Sequence, residues 1–426
     1  MEIMSVRGIM FRPEIDGGGL YMSNKKSLAV GILAGFLAAC LCGGLFWCIV
    51  GGSGREAASG AGDASGHVLS SAAEKKLEQI YQLIDRYYLE DVDHDALVEG
   101  IYKGMVASLD DPYSVYYDLE EAEAVAESIG GTYSGIGATL TKNVETGGIT
   151  VVRCFEGAPS VEGGLLPGDQ IVSVDGTDVL NMDISEAVAL IKGEEHTRVV
   201  LTVYREGEAD YLDLSIERAN IDIPTVEYEM LDQQIGYILV TNFEQVTTEQ
   251  FDEAFRSLQS QGMQALVLDL RDNPGGILDV ACDLCEYFMD QGLIVYTEDK
   301  YGSRIEYEAE DADRFGKPVA VLVNENSASA SEIVAGALQD TDNAAIVGTT
   351  TFGKGIVQQF LNLGDGSALK LTFSKYYTPN GNNIHEVGIV PDVEVELDEV
   401  LRTKAVIEFS EDNQLQKALE VLQEQM

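Results

Sequence analysis

The 426-residue chain reads as a multidomain protein of α/β and β type, with a helical N-terminal arm and a single transmembrane helix. Three observations predict this. From residue 219 onward, strand-length apolar runs alternate with segments of helical period, the pattern of helices covering a sheet. From Tyr133 to about Arg218, many short strand-like runs surround one helical segment, which predicts a small β domain. Near the start, Leu28 to Val50 carries no charge and is long enough to cross a bilayer as a helix.

Composition narrows the function. The net charge is −45 and the pI about 4.1. Nucleic acid is excluded as a partner, because its phosphates need a basic surface. With 45% hydrophobic residues the chain is not a disordered acidic tail. Of six cysteines, Cys40, Cys42 and Cys48 lie in the apolar N-terminal stretch, and Cys154, Cys282 and Cys285 lie in the body. Cys282-Asp-Leu-Cys285 has the spacing of a redox or metal motif. It sits among Ile277, Val280, Ala281, Leu284 and Phe288 at helical period, so a buried helix face is the expected role. No second pair completes a zinc site, and the four histidines are scattered at 67, 94, 196 and 385. No metal and no cofactor are expected.

In chain order, residues 1–27 form a short tail with Arg7, Arg12, Lys25 and Lys26. Residues 28–50 form the membrane span. Only Arg55 follows the span before Lys75, so the basic side predicts a cytoplasmic N-terminus and an extracytoplasmic body. Leu37-Ala-Ala-Cys40 is similar to a lipoprotein processing box, but Leu41 to Val50 stays apolar, which favours a retained anchor. Residues 51–73 are rich in Gly, Ser and Ala and read as a flexible tether. Residues 74–130 read as helical. Leu77, Ile80, Tyr81, Ile84 and Tyr88 mark one amphipathic helix, Ala96 to Leu109 a second that Pro112 stops, and Glu120 to Ile129 a third. This arm is expected to pack on the body or on a second subunit, or to serve only as an N-terminal cap.

Residues 131–218 form the β domain. Its strands are Ala138–Leu140, Ile149–Cys154, Gln170–Val174, Val199–Arg205 and Tyr211–Ile216, with one helix at Ser185–Lys192. Gly135-Ile-Gly-Ala138, Pro159, Gly164-Leu-Leu-Pro-Gly-Asp169 and Val174-Asp-Gly176 together resemble a PDZ domain. The resemblance implies that the amides of Gly135, Ile136, Gly137 and Ala138 cradle a peptide's terminal carboxylate while the peptide adds as a strand. A plain glycine turn is the competing reading. The resemblance also implies a basic residue at Lys192 that couples the domain to the active site, and a solvated helix end is its simpler role.

Residues 219–400 carry the α/β core. The predicted strands are Gly236–Val240, Ala265–Leu270, Val319–Asn324 and Ala344–Gly348. A helix carries Phe251, Ala254, Phe255 and Leu258, and another spans Glu332–Gln339. The strand at 319 runs into Asn324-Glu-Asn-Ser-Ala-Ser-Ala-Ser-Glu332, a turn that can hold a hydroxyl clear of the backbone. Ser331 is expected as the N-cap, and Glu332 falls where the helix dipole favours an anion. Gly353-Lys-Gly355 opens the next apolar run. On a regular strand Lys354, Ile356, Gln358 and Phe360 would share a face. A serine hydroxyl needs a base, and a lysine serves when burial lowers its pKa to about 7–8. Each piece alone more often means a capped loop and a solvated lysine. A further strand covers 370–377. Residues 401–426 end in a helix from Asn413 to Gln423 with Leu415, Ala418, Leu419 and Leu422 on one face. Packing on its own subunit is expected ahead of a dimer contact, and a homodimer stays open.

Taken together, these motifs resemble the carboxyl-terminal processing peptidases, or tail-specific proteases. Leu109-Asp-Asp-Pro-Tyr-Ser114, Tyr133-Ser-Gly-Ile-Gly137, Asp269-Leu-Arg-Asp-Asn-Pro-Gly-Gly276 and Gly388-Ile-Val-Pro-Asp392 add to it, in the family's order. The resemblance implies a protease core of the crotonase/ClpP-like kind, with Ser329 rather than Ser327 or Ser331 as nucleophile, Lys354 as general base and Gln358 orienting the lysine. It also favours an oxyanion hole from the Ala330 amide and a glycine of Pro274-Gly-Gly276. Sequence does not separate the two glycines, and Gly276 is the expectation. His385, which a Ser-His-Asp triad would have to use, is expected to be structural. The function implied is a membrane-anchored extracytoplasmic serine endopeptidase that recognises substrate C-termini. Its rivals are a catalytically silent PDZ adaptor and an acyl-CoA enzyme.

Overall fold

The computed structural model describes residues 69–142, 147–310, 314–402, 404 and 407–426. The expected membrane span at 28–50, Cys40 and most of the tether lie outside these residues. Among the described residues, no helix is long and apolar enough to cross a membrane.

The described chain falls into two units, 69–97 and 98–426. In the first, helix Ser71–Tyr87 is capped by the Ser70 hydroxyl, which accepts from the Ala73 amide at 3.2 Å. Glu74 in its first turn and Arg86 in its last complement the helix dipole. The helix buries no residue. The Tyr81 hydroxyl meets His94 Nδ1 at 2.9 Å.

The second unit is built on a six-stranded sheet. Its order is Val226–Met230, Ile235–Val240, Ala265–Asp269, Val319–Val323, Ala345–Gly348 and Val393–Glu394. The first pair is antiparallel and every later pair parallel. Strands Ala265–Asp269 and Val319–Val323 are buried at every position, as unbroken apolar runs in a sheet covered on both faces must be. Alternation divides the strand residues between the two faces. Ile238 and Val240 join Phe251, Leu258, Leu278 and Val334 from helices Thr247–Ser260, Leu278–Glu286 and Ala330–Asp340. Ile235 and Tyr237 join Leu415, Ala418 and Leu422 of the final helix, Asn413–Gln425, on the other face. The apolar face of that helix is therefore spent on its own sheet, which removes it as the surface for a subunit contact. Cys282 and Cys285 are buried on helix Leu278–Glu286, and burial pushes the Cys285 thiol's pKa far up.

A second, antiparallel sheet lies beside the first. Strand Ala368–Tyr377 pairs with Val115–Tyr117, Gly292–Asp299 and Ile356–Asn362, and Gly292–Asp299 pairs with Arg304–Ala309. The hairpin of 292–309 has no counterpart in the sequence reading. Its turn is set by Asp299, whose Oδ1 accepts from the Tyr301 and Ser303 amides, each at 2.8 Å.

The β domain has its own six-stranded sheet, in which Ala138–Lys142, Ile149–Cys154, Gln170–Val174, Arg198–Tyr204 and Leu212–Glu217 are successive neighbours. It also has its own core around Ile149, Leu165, Ile171, Leu201 and Ile216. The chain passes into this domain along Thr132–Gly135 and leaves along Ala219–Asp222. These two segments pair antiparallel, Tyr133 opposite Ile221 and Gly135 opposite Ala219. The domain thus hangs from the core on a two-stranded ribbon.

Candidate active site

The turn after strand Val319–Val323 reaches Ser329 in an unusual conformation, φ 59° and ψ −115°. A non-glycine residue there costs about 1–3 kcal/mol and persists only where its surroundings hold it. The holding groups are identifiable. The Ser327 hydroxyl donates to the Leu270 carbonyl at 2.8 Å, and the Ser331 hydroxyl to the Asn273 carbonyl at 2.9 Å. The Ala328 amide reaches the same Asn273 carbonyl at 3.0 Å. Both flanking hydroxyls thus tie the turn to the loop after strand Ala265–Asp269. Ser331 is not the helix cap. Ser329 occupies that position, opening helix Ala330–Asp340.

Glu332 joins the turn to the lysine loop. Fully buried, it accepts from the Ser329 amide at 2.8 Å, the Thr351 hydroxyl at 2.6 Å, the Gly353 amide at 2.7 Å and the Lys354 amide at 2.9 Å. Burial pushes its pKa up, while the Thr351 hydroxyl and the three amides pull it back. Thr351 Oγ1 accepts in turn from the Ile389 amide at 2.7 Å. The Tyr376 hydroxyl donates to the Ser329 carbonyl at 3.1 Å.

Lys354 is buried in the loop ahead of strand Ile356–Asn362, at 6% exposure. Its flanking glycines let the loop lie against 385–388. A Cβ on Gly353 would stand 3.0 Å from the Gly388 amide nitrogen, and one on Gly355 2.5 Å from the His385 nitrogen. The His385 backbone therefore buttresses the lysine loop. Lys354 Nζ lies 5.0 Å from the centroid of the Tyr113 ring, a cation–π distance. Tyr113 is set by its neighbours, since the Ser114 hydroxyl donates to Asp111 at 2.6 Å and accepts from the Thr372 amide at 3.1 Å.

The simple alternation expected for Lys354 and Gln358 does not hold. The strand begins at Ile356, and its register shifts between Val357 and Gln358. Gln358 is 1% exposed, and neither its Oε1 nor its Nε2 has a hydrogen-bond partner. No hydrogen bond links it to the lysine in this conformation.

The glycine loop lies directly against the turn. A Cβ on Gly275 would be 2.7 Å from Ser329 Cβ and 2.9 Å from the Ala330 nitrogen. The Gly275 amide is spent on Asn273 Oδ1 at 2.9 Å. At Gly276 the φ is +151° and a Cβ would meet the Phe243 carbonyl oxygen at 2.0 Å, so only glycine fits. Ala330 begins the helix, where amides lack intrahelical partners. Sequence reasoning missed Asn273, Thr351, Tyr113 and Tyr376. It placed Glu332 without its staple, although Ser329-Ala-Ser-Glu332 has the spacing that signals a capping box.

In the β domain, Ile136 and Ala138 line a groove of about 290 Å³ between strand Ala138–Lys142 and helix Ile184–Ile191, and Gly135 and Gly137 are their chain neighbours outside its lining. Gly137 has φ +74°, and a Cβ there would be 2.4 Å from Ala158 Cβ.

Comparisons with known proteins agree with this layout. The model of peptidase family S41 matches residues 234–395, that of a PDZ domain 151–205, and that of the activating protease CtpB N-terminal domain 52–121. The carboxy-terminal processing protease CtpA of Bacillus subtilis (strain 168) is 42% identical over 323 residues, 76% of this chain and 69% of that one. CtpB of the same organism is 38% identical over 325 residues, 75% and 67% of the two chains. A putative S41 protease from Bacteroides fragilis has the same fold, with a TM-score of 0.50 at 20% identity over 82% of this chain and 97% of that one.

Proposed function

Since the chain belongs to peptidase family S41, as a carboxy-terminal processing serine protease with a PDZ domain, we propose that it is a membrane-anchored endopeptidase working by a Ser-Lys mechanism outside the cytoplasm. The neutral Lys354 amine takes the Ser329 hydroxyl proton as Oγ attacks a peptide carbonyl. The oxyanion lies between the Gly276 and Ala330 amides, where one such donor is typically worth about 100- to 1000-fold in rate. The Lys354 ammonium returns the proton to the leaving amine, and Ser329 holds the acyl group as an ester. Lys354 then takes a proton from water, the hydroxide displaces the ester, and the serine recovers its hydrogen. Gln358 offers a buried amide with no hydrogen-bond partner, available to substrate or to a shifted lysine. The PDZ groove holds the substrate's C-terminal residues. Residues 28–50 anchor the protein, and the basic residues before them keep its N-terminus in the cytoplasm.

The observation that carries this reading is the Glu332 carboxylate, which binds the Ser329 amide and the Lys354 amide at once. A fluorophosphonate probe is expected to label the wild type and not Ser329→Ala, and proteolysis is expected to fall about 10⁴-fold in Lys354→Ala. Lys354→Arg should stay inactive, because a guanidinium does not give up its proton. Activity retained in Lys354→Arg would sink the base assignment. For the anchor, alkaline carbonate washing of membranes is expected to leave the full chain in the pellet and to release one lacking residues 1–50.

A further inference from the structure

The carboxylate loop of the PDZ domain faces an oxygen that belongs to the protein itself. The loop's carbonyls are engaged elsewhere. Ile136 O accepts from the Ser160 amide at 2.8 Å, and Gly137 O from the Phe155 amide at 2.9 Å and the Ser160 hydroxyl at 2.6 Å. The amides of Gly137 and Ala138 point at the Tyr133 hydroxyl. The Tyr133 ring folds back against its own loop, so that a Cβ on Gly135 would lie 2.6 Å from Tyr133 Cε2. Tyr133 lines the groove with Ile136, Ala138 and Lys192. Lys192 Nζ stands 4.9 Å from the ring centroid and is paired with Glu127 at 3.0 Å.

We propose that the Tyr133 phenol is a built-in occupant of the carboxylate cradle, which a substrate's C-terminus must displace before the groove is filled. The inference rests on the reading that the groove takes C-termini. A carboxylate wins the exchange because amide hydrogen bonds to an ionised acceptor are roughly twice as strong as those to a neutral one. Burial raises the phenol's pKa, so the occupant stays neutral and the weaker acceptor. Tyr133 also lies on the ribbon that carries the domain, opposite Ile221. Displacing its ring therefore disturbs the connection to the protease core. The free enzyme discriminates against weak C-terminal ligands because part of its affinity is spent on opening the cradle.

The test is the binding of a fluorescein-labelled peptide with a free C-terminal carboxylate, and of its amidated twin, to the full-length protein. Tyr133→Phe keeps the ring and removes the competing oxygen. Its Kd for the acid peptide is expected to fall about fivefold to tenfold, the worth of about one net hydrogen bond. Cleavage of a protein ending in that peptide should gain in KM rather than in kcat. An unchanged or raised Kd in Tyr133→Phe, with the wild type still preferring acid over amide, overturns the occupant and leaves C-terminal recognition standing. Equal binding of acid and amide by the wild type overturns both.

Discussion

Glu332 lends one carboxylate to four donors, three amides and a hydroxyl, on two separate segments of the active site. Glu332→Gln keeps the shape but turns one acceptor into an amide group facing donors. At neutral pH it is expected to lower stability by about 2–3 kcal/mol and kcat/KM by roughly 100-fold, the cost of about 1 Å of misplacement. The pH dependence has a definite sign. Burial holds the pKa of Glu332 above its ordinary value. A carboxyl raised in the folded state stabilises most below its unfolded pKa, and that contribution is lost as pH rises through the folded value. The wild type's advantage over Glu332→Gln should therefore shrink as pH rises from about 4, the ordinary glutamate range, through the raised folded value. Urea unfolding of both proteins at each pH measures it, and an advantage that grows with pH contradicts it. At this scale the sequence reveals residue type and spacing, which is enough to mark Ser329 and Lys354 as candidates. It does not separate three serines in one small-residue turn. Partners distant in the chain separate them, Leu270 for Ser327 and Asn273 for Ser331. The alternation that put Gln358 beside Lys354 fails because a bulge is a matter of strand pairing, and no local pattern announces it.

Among the elements, the final helix has the longest reach. Its N-cap Asp412 accepts from the Gln414 and Leu415 amides and also binds Arg271, Oδ2 to Nη2 at 2.8 Å. Arg271 holds Asp269 as well, at 2.6 Å, and Asp269 takes the Tyr237 hydroxyl at 2.8 Å. Two residues beyond Arg271 lies Asn273, which anchors the serine turn. Asp412→Asn removes one partner of a buried ion pair and weakens a cap. Asp269 remains to hold the arginine, so the expected loss is on the order of 3 kcal/mol, the low end for such a pair. Chemical denaturation measures it, and a change below about 0.5 kcal/mol, the scale of an ordinary surface substitution, would rule out a clamp. Most elements of the α/β core are legible because their apolar periods are long and undisturbed. The hairpin of 292–309 is not. Its second strand, Arg304–Ala309, is half charged, and its edge position lets those charges reach water.

At the scale of the whole molecule, the PDZ core and the protease core share no buried residue among the described residues. Two exposed ion pairs, Lys192 with Glu127 and Arg153 with Glu227, join the domain to its surroundings beside the ribbon. Pairs so exposed contribute about 0–1 kcal/mol each and weaken with salt. Scanning calorimetry of the full chain is expected to resolve two transitions at high salt, because neither core completes the other. One transition whose calorimetric and van't Hoff enthalpies agree would show tight coupling instead. The β domain itself is legible from its turns and short strands. Its suspension is not, because Thr132–Gly135 and Ala219–Asp222 meet across the whole domain and nothing local to either foretells the partner.

That ribbon places the two cut points for the domain side by side, at Gly135 and Ala219. A different peptide-reading module whose ends lie one strand spacing apart can be spliced between them without rerouting the catalytic framework. If the groove selects substrates as proposed, that selection is a replaceable cartridge, and new substrate addresses are open to evolution, or to an engineer, with the cutting chemistry left untouched.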